Sequence, residues 1–139
     1  MKRTSLNTED CNKQGKDGPA AAACPALFAL SLIANKWTIR IIIALISQED
    51  RTLRFGQIQK TLGAITQREL TKQLRELEKS GLITRKIFPQ IPPRVEYTIT
   101  ELGYSLWGPV EQLSLWAEKN APVIQKNRIK YQASSESNN

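Results

Sequence analysis

Ten basic side chains fall between Arg51 and Arg94: Arg51, Arg54, Lys60, Arg68, Lys72, Arg75, Lys79, Arg85, Lys86 and Arg94. Three acids share that stretch, Glu69, Glu76 and Glu78, so its balance is +7, equal to the net charge of the whole chain. Guanidinium and ammonium groups gathered in this way suit one task, holding a polyanion through charge-assisted hydrogen bonds. Side chains for other chemistry are scarce. The chain has no histidine, which removes the commonest acid–base group and metal ligand. Cys11 and Cys24 have no further cysteine to complete a structural zinc site. No phosphate loop or dinucleotide fingerprint is present. No catalytic residue, metal site or cofactor is therefore expected.

The spacing of the basic residues is informative. The segment from Thr66 to Gly81 opens with Thr66 and Glu69 at capping-box spacing and ends at a glycine suited to a left-handed stop. Leu70, Leu74 and Leu77 recur at i, i+4 and i+7, the period of one buried helical stripe. At roughly 100° per residue, Arg68, Lys72, Arg75 and Lys79 cluster on the opposite side. One face grips a core; the other is uniformly basic. An outward charge run is ordinarily a solvated surface. Here a single sign dominates, and the neighbouring elements argue for more.

Those elements begin with Phe55 to Leu62, where Phe55, Ile58 and Leu62 read as a short helix. A tight connection, Gly63-Ala-Ile65, leads into the basic helix. A short helix, a turn and a longer helix form a helix-turn-helix, whose second helix enters the major groove. After Gly81 the pattern changes. Leu82 to Phe88 is rich in β-branched and aromatic residues, Pro89-Gln-Ile-Pro-Pro93 interrupts, and Arg94 to Ile99 resumes with period-2 alternation. This predicts a hairpin with a proline-stiffened tip. The fold expected is mainly α with a small antiparallel β-wing, a winged helix-turn-helix. Gln67, Arg68, Thr71, Lys72, Arg75 and Lys79 would face DNA from the helix, and Arg85, Lys86 and Arg94 from the wing.

The motifs in order resemble the HxlR-type family of bacterial winged-helix regulators, relatives of the MarR group. The matching residues are Cys24-Pro25, Lys36-Trp37, Arg54-Phe55, Ile65-Thr66, Leu70-Thr71, Gln73 to Glu78, Gly81-Leu-Ile83, Pro92 to Tyr97, Thr100 to Gly103, and Trp116. They spread over about residues 24–122, most of the chain. Two positions depart from the pattern: Ala34-Asn35 stands where a Gly-Gly-like pair precedes Lys-Trp, and Ala117 where glycine often follows the tryptophan. The resemblance implies a dimeric, non-enzymatic transcription factor that binds duplex DNA, with a pseudo-palindromic operator and a cytoplasmic location at the nucleoid. It also implies that Cys24 resembles a cysteine that some members use to sense electrophiles or oxidants.

The remaining chain divides into an N-terminal arm, residues 1–23, the domain at 24–122 and a polar tail at 123–139. The arm has no sustained apolar run and is not a signal peptide. The tail, ending in Ala-Ser-Ser-Glu-Ser-Asn-Asn, is expected to fray. Ala26 to Ile46 is the most apolar stretch, but Lys36 and Arg40 near its middle would each cost about 2.5–3.5 kcal/mol in a bilayer. It is read as two core helices, about 25–34 and 36–47, with Trp37 in the core or an interface and no membrane partner. Leu106, Val110, Leu113 and Trp116 lie at helical spacing between Thr100 and Lys119, with Gly108-Pro109 expected to bend or break that helix. This stripe, with Leu27, suggests a homodimer interface, the alternative being a helix that packs within its own chain. Cys24 precedes Pro25, a favoured first helical residue, which puts its sulfur at the positive end of a helix dipole. The other reading is a cysteine that fits beside the cap and is inert. Cys11, in the arm, could resolve a sulfenate on Cys24 or pair with a second subunit.

Two other functions compete. A non-specific nucleic-acid module would stack bases on exposed rings, whereas Phe55, Phe88 and Tyr97 fall at positions that look buried or strand-paired. A winged helix that binds only protein would not bind duplex DNA. The sequence leaves open the operator, the effector and the sign of regulation.

Overall fold

The computed structural model describes residues 24–139. Two apolar helices come first, α1 (Pro25–Ile33) and α2 (Lys36–Ile46). They meet at a bend of 77°. Asn35 makes the corner by capping α2, its side-chain oxygen accepting from the Trp37 N–H at 2.8 Å. Helix wins over the strand propensity of Ile41-Ile-Ile43 because Ile41, Ile42 and Leu45 project together into the core while Ile43 remains exposed. No single helix among the described residues is long and apolar enough to cross a membrane.

The helix-turn-helix follows as α3 (Phe55–Leu62) and α4 (Gln67–Lys79). Gly63, at φ 78°, turns the chain between them. Leu70, Leu74 and Leu77 are buried as their spacing predicts. The end of α4 is a Schellman closure: Gly81, at φ 72°, donates to the Glu78 carbonyl, and Leu82 donates to the Leu77 carbonyl, both at 3.0 Å.

The wing is β2 (Ile83–Phe88) and β3 (Arg94–Ile99), antiparallel, with Ile83 opposite Ile99 and Phe88 opposite Arg94. A third strand, β1 (Thr52–Arg54), pairs with the other edge of β3, giving the order β1-β3-β2. The sequence reading missed β1, since three residues are too short to show a period. Leu53 anchors it in the core that α2, α3, α4 and the sheet share.

The C-terminal part consists of α5 (Glu101–Ser105) and α6 (Trp107–Ser137). Gly103 is required where α5 crosses the wing, because a Cβ there would run into the Leu82 carbonyl. The helix break expected at Gly108-Pro109 falls earlier, at Leu106. Gly108 and Pro109 sit in the first turn of α6, where proline forfeits no hydrogen bond. The polar tail at 123–139, expected to fray, instead continues α6 to Ser137. No residue of α6 is buried. Together these elements form a mainly helical winged helix-turn-helix with a small antiparallel sheet.

Candidate nucleic-acid interface

Helix α4 is fixed on three sides. Its leucines hold it to the core, Thr66 caps its start by accepting from the Glu69 N–H at 3.1 Å, and Gly81 ends it. The opposite face is left to solvent. Gln67, Arg68, Lys72, Arg75 and Lys79 are exposed and Thr71 is half-buried. All six line one open surface depression, together with Thr66, Glu69 and Glu76. The Thr71 hydroxyl donates back to the Gln67 carbonyl at 2.8 Å, leaving its oxygen free to accept.

The charge on this face is less uniform than its spacing suggests. Glu76 shares it and pairs with Lys79, Oε1 to Nζ at 3.2 Å. On this face Arg68, Lys72 and Arg75 stand outside every ion pair among the described residues.

The wing is arranged differently. Strand alternation puts Arg85 on one face of the sheet and Lys86 on the other, with Arg94 on the Lys86 side. Arg85 lies 3.5 Å from Glu78 of α4. Arg94 stacks on Phe88, its guanidinium carbon 4.0 Å from the ring centroid. Its Nε is 3.4 Å from Glu96, an attraction without hydrogen-bond alignment. Lys86 also approaches the Phe88 ring, at 4.9 Å. The tip of the wing, Pro89 to Pro93, carries no charge and ends in a fully exposed Ile91.

Tyr97 lies beneath both regions. Burial pushes its phenol pKa above the ordinary 10.0, and Glu78 adds to the rise, while Arg85 and Arg75 oppose it. Sequence reasoning also missed a polar pair in the core, Thr38 and Gln73, both buried. Gln73 shares the leucine face, at i+3 from Leu70, but a polar amide there gives no apolar signal that it is buried.

Cys24 caps α1 with extended backbone and is buried; its sulfur is held in a disulfide. Cys11 lies outside the described residues, as does the whole of the N-terminal arm. The stripe read as an interface is open to solvent: Leu27, Leu113 and Trp116 are each at least half exposed, and Leu106 and Val110 are partly buried. Among the described residues no group of three or more cysteine, aspartate or glutamate side chains could hold a metal ion.

Comparison with known proteins agrees with this architecture. The family described as HxlR-like helix-turn-helix matches residues 32–125. The HTH-type transcriptional regulator YybR of Bacillus subtilis (strain 168) is 39% identical over 110 residues, 79% of this chain and 86% of that protein. The redox regulator HypR in its oxidized form superposes with a TM-score of 0.60 at 40% identity, covering 70% of this chain and 97% of that one. A regulator of the MarR family from Enterococcus faecalis V583 superposes with a TM-score of 0.63 at 38% identity, covering 78% and 94%. This chain belongs to the HxlR-like helix-turn-helix family and is a transcriptional regulator, not an enzyme.

Proposed function

We propose that this HxlR-like regulator binds duplex DNA sequence-specifically as a homodimer, through α4 in the major groove. The carrying observation is the face of α4 on which Arg68, Lys72 and Arg75 stand exposed, outside every ion pair found among the described residues. Gln67 and Thr71 supply neutral donors and acceptors for base edges on the same face. The domain at 24–122 does this work in the cytoplasm, on nucleoid DNA. Two copies meet through α1 and the stripe Leu106, Val110, Leu113 and Trp116. That union spaces two copies of α4 by roughly one DNA turn, 34–36 Å, and the operator is pseudo-palindromic to match.

Cys24 is the proposed point of control. Its sulfur sits at the N-terminus of α1, one of the helices assigned to the interface. Two thiols, Cys24 and Cys11, would pass two electrons and two protons to an oxidant such as a quinone and form the S–S bond. Closing or opening that bond pulls on α1 and so on the spacing of the two α4 helices. The solved relative described as a redox regulator supports this reading.

Selection of bound fragments from random duplex DNA, with reduced and with oxidised protein, tests both parts. One recurrent palindrome is expected, with affinity that falls steeply with salt, as for a dimer touching about 6–10 phosphates. Diamide should change operator affinity for the wild type and leave Cys24→Ser unmoved. A flat salt dependence would refute the DNA assignment. Equal affinity of both proteins before and after diamide would make Cys24 structural.

A further inference from the structure

Thr38 and Gln73 are polar side chains buried in an otherwise apolar core, and they join into a chain that ends at the start of α4. The Thr38 hydroxyl donates to Gln73 Oε1 at 3.3 Å, and Gln73 Nε2 donates to Glu69 Oε1 at 2.8 Å. Both ends of the amide are used, in the one orientation that lets the carboxylate accept. Glu69 is thereby turned away from the position its sequence spacing favours. In a full capping box its carboxylate would reach back to the Thr66 N–H. Only half of that box is found at α4: Thr66 accepts from the Glu69 N–H, while the Glu69 carboxylate points one turn toward the C-terminus, to Gln73.

We propose that Gln73 is a positioning residue for DNA recognition, holding the Glu69 carboxylate away from the first turn of α4 with Thr38 of α2 as its anchor. The inference rests on the proposed DNA-binding role of α4. Without Gln73 the carboxylate is drawn to the positive N-terminal end of the helix and to the Thr66 N–H. That end carries Gln67 and Arg68. A negative charge arriving there competes with phosphate for Arg68 and repels the approaching backbone. The core glutamine thus decides which charge the groove meets first.

Operator affinity, affinity for random duplex and melting temperature are to be measured for the wild type, Gln73→Met, Thr38→Val and the double variant Gln73→Met with Glu69→Gln. Methionine keeps the length and apolar fit of the site. Gln73→Met should lose roughly tenfold in operator affinity, the scale of one hydrogen bond to a charged group. Thr38→Val should move the same way by less. Glu69→Gln should restore most of the loss, because the misplaced charge is gone; a merely structural glutamine would not be rescued there. Full operator affinity in Gln73→Met, or no rescue, overturns the proposal. Should Gln73→Met fail to fold, Thr38→Val decides, and unchanged affinity overturns it. A wild type that selects no sequence overturns the DNA reading and this inference with it, a result distinct from a selective wild type with an indifferent Gln73→Met.

Discussion

On α4, Arg68, Lys72 and Arg75 extend from a helix whose other side is locked into the core, and no carboxylate pairs with them among the described residues. On the wing, Arg85 faces Glu78, and Arg94 lies between Phe88 and Glu96. In the sequence these five side chains count alike toward a positive patch. In the structure the three on α4 stand outside every described ion pair, while the two on the wing are engaged by Glu78 and by Phe88 and Glu96. Formal charge therefore measures attraction at a distance, while contact depends on which cations have no internal partner. On the proposed DNA-binding reading, α4 is the reading element and the wing is a flank whose tip carries no charge.

Arg75→Glu tests that division most severely. It replaces an uncommitted cation in the middle of the α4 face with an anion, once per subunit. A good contact of this kind is worth about 1–3 kcal/mol, so operator affinity should fall by roughly two orders of magnitude or more. The melting temperature should hold, because Arg75 is exposed and outside every ion pair described. Near-normal binding by this variant would move the reading element elsewhere.

The next test sets one cation from each region side by side. Lys72→Ala should reduce the slope of log affinity against log salt by about one per subunit, the mark of a lost phosphate contact. Arg94→Ala should leave that slope nearly unchanged. It should instead lower stability by about 1 kcal/mol, through the lost stack on Phe88. If Arg94→Ala flattens the salt dependence as much as Lys72→Ala does, the wing is a second electrostatic clamp and the comparison fails.

The sequence showed the parts of this arrangement that repeat. The leucine period of α4, the Thr66 cap, the Gly81 stop and the alternation of β3 are local signals, and each is found where it was read. Three features were hidden because they depend on tertiary contacts that no local period records. Strand β1 exists only because β3 offers a free edge, and its three residues carry no pattern of their own. The hydrogen bonding that lets the Gln73 amide sit in the core depends on Thr38, thirty-five residues away. The pairing of Arg85 with Glu78 depends on how the hairpin folds back along the end of α4. At the C-terminus the error ran the other way. The serines of the tail suggested fraying, yet α6 continues through Ser134 and Ser135 to Ser137 as one helix, with Pro122 inside it.

Tyr97 is where the two regions can be compared on a single titrating group. Burial raises its pKa first, Arg85 of the wing lowers it, Glu78 raises it, and Arg75 of the helix lowers it. The net shift is upward, so the folded protein holds the phenolic proton more tightly than the unfolded chain does. Folded-state stability from this group is therefore fully present below the ordinary value of 10.0 and is lost as pH rises from there through the higher folded pKa. Chemical denaturation across that alkaline window should show stability falling with pH. Tyr97→Phe should remove this part of the fall, and the difference between the two proteins isolates it from the lysines. The same group then reports on the helix. Arg75→Glu takes away a charge that favours the phenolate and adds one that opposes it, so the ultraviolet titration of Tyr97 should move to still higher pH. Neutralising the wing cation by Arg85→Gln should move it in the same direction. A larger shift from Arg85→Gln than from neutral Arg75→Gln would agree with their order of influence on the phenol. A Tyr97 titration indifferent to both would mean that solvent already screens the two cations, and that the wing's pairing with Glu78 does not distinguish it from the open face of α4.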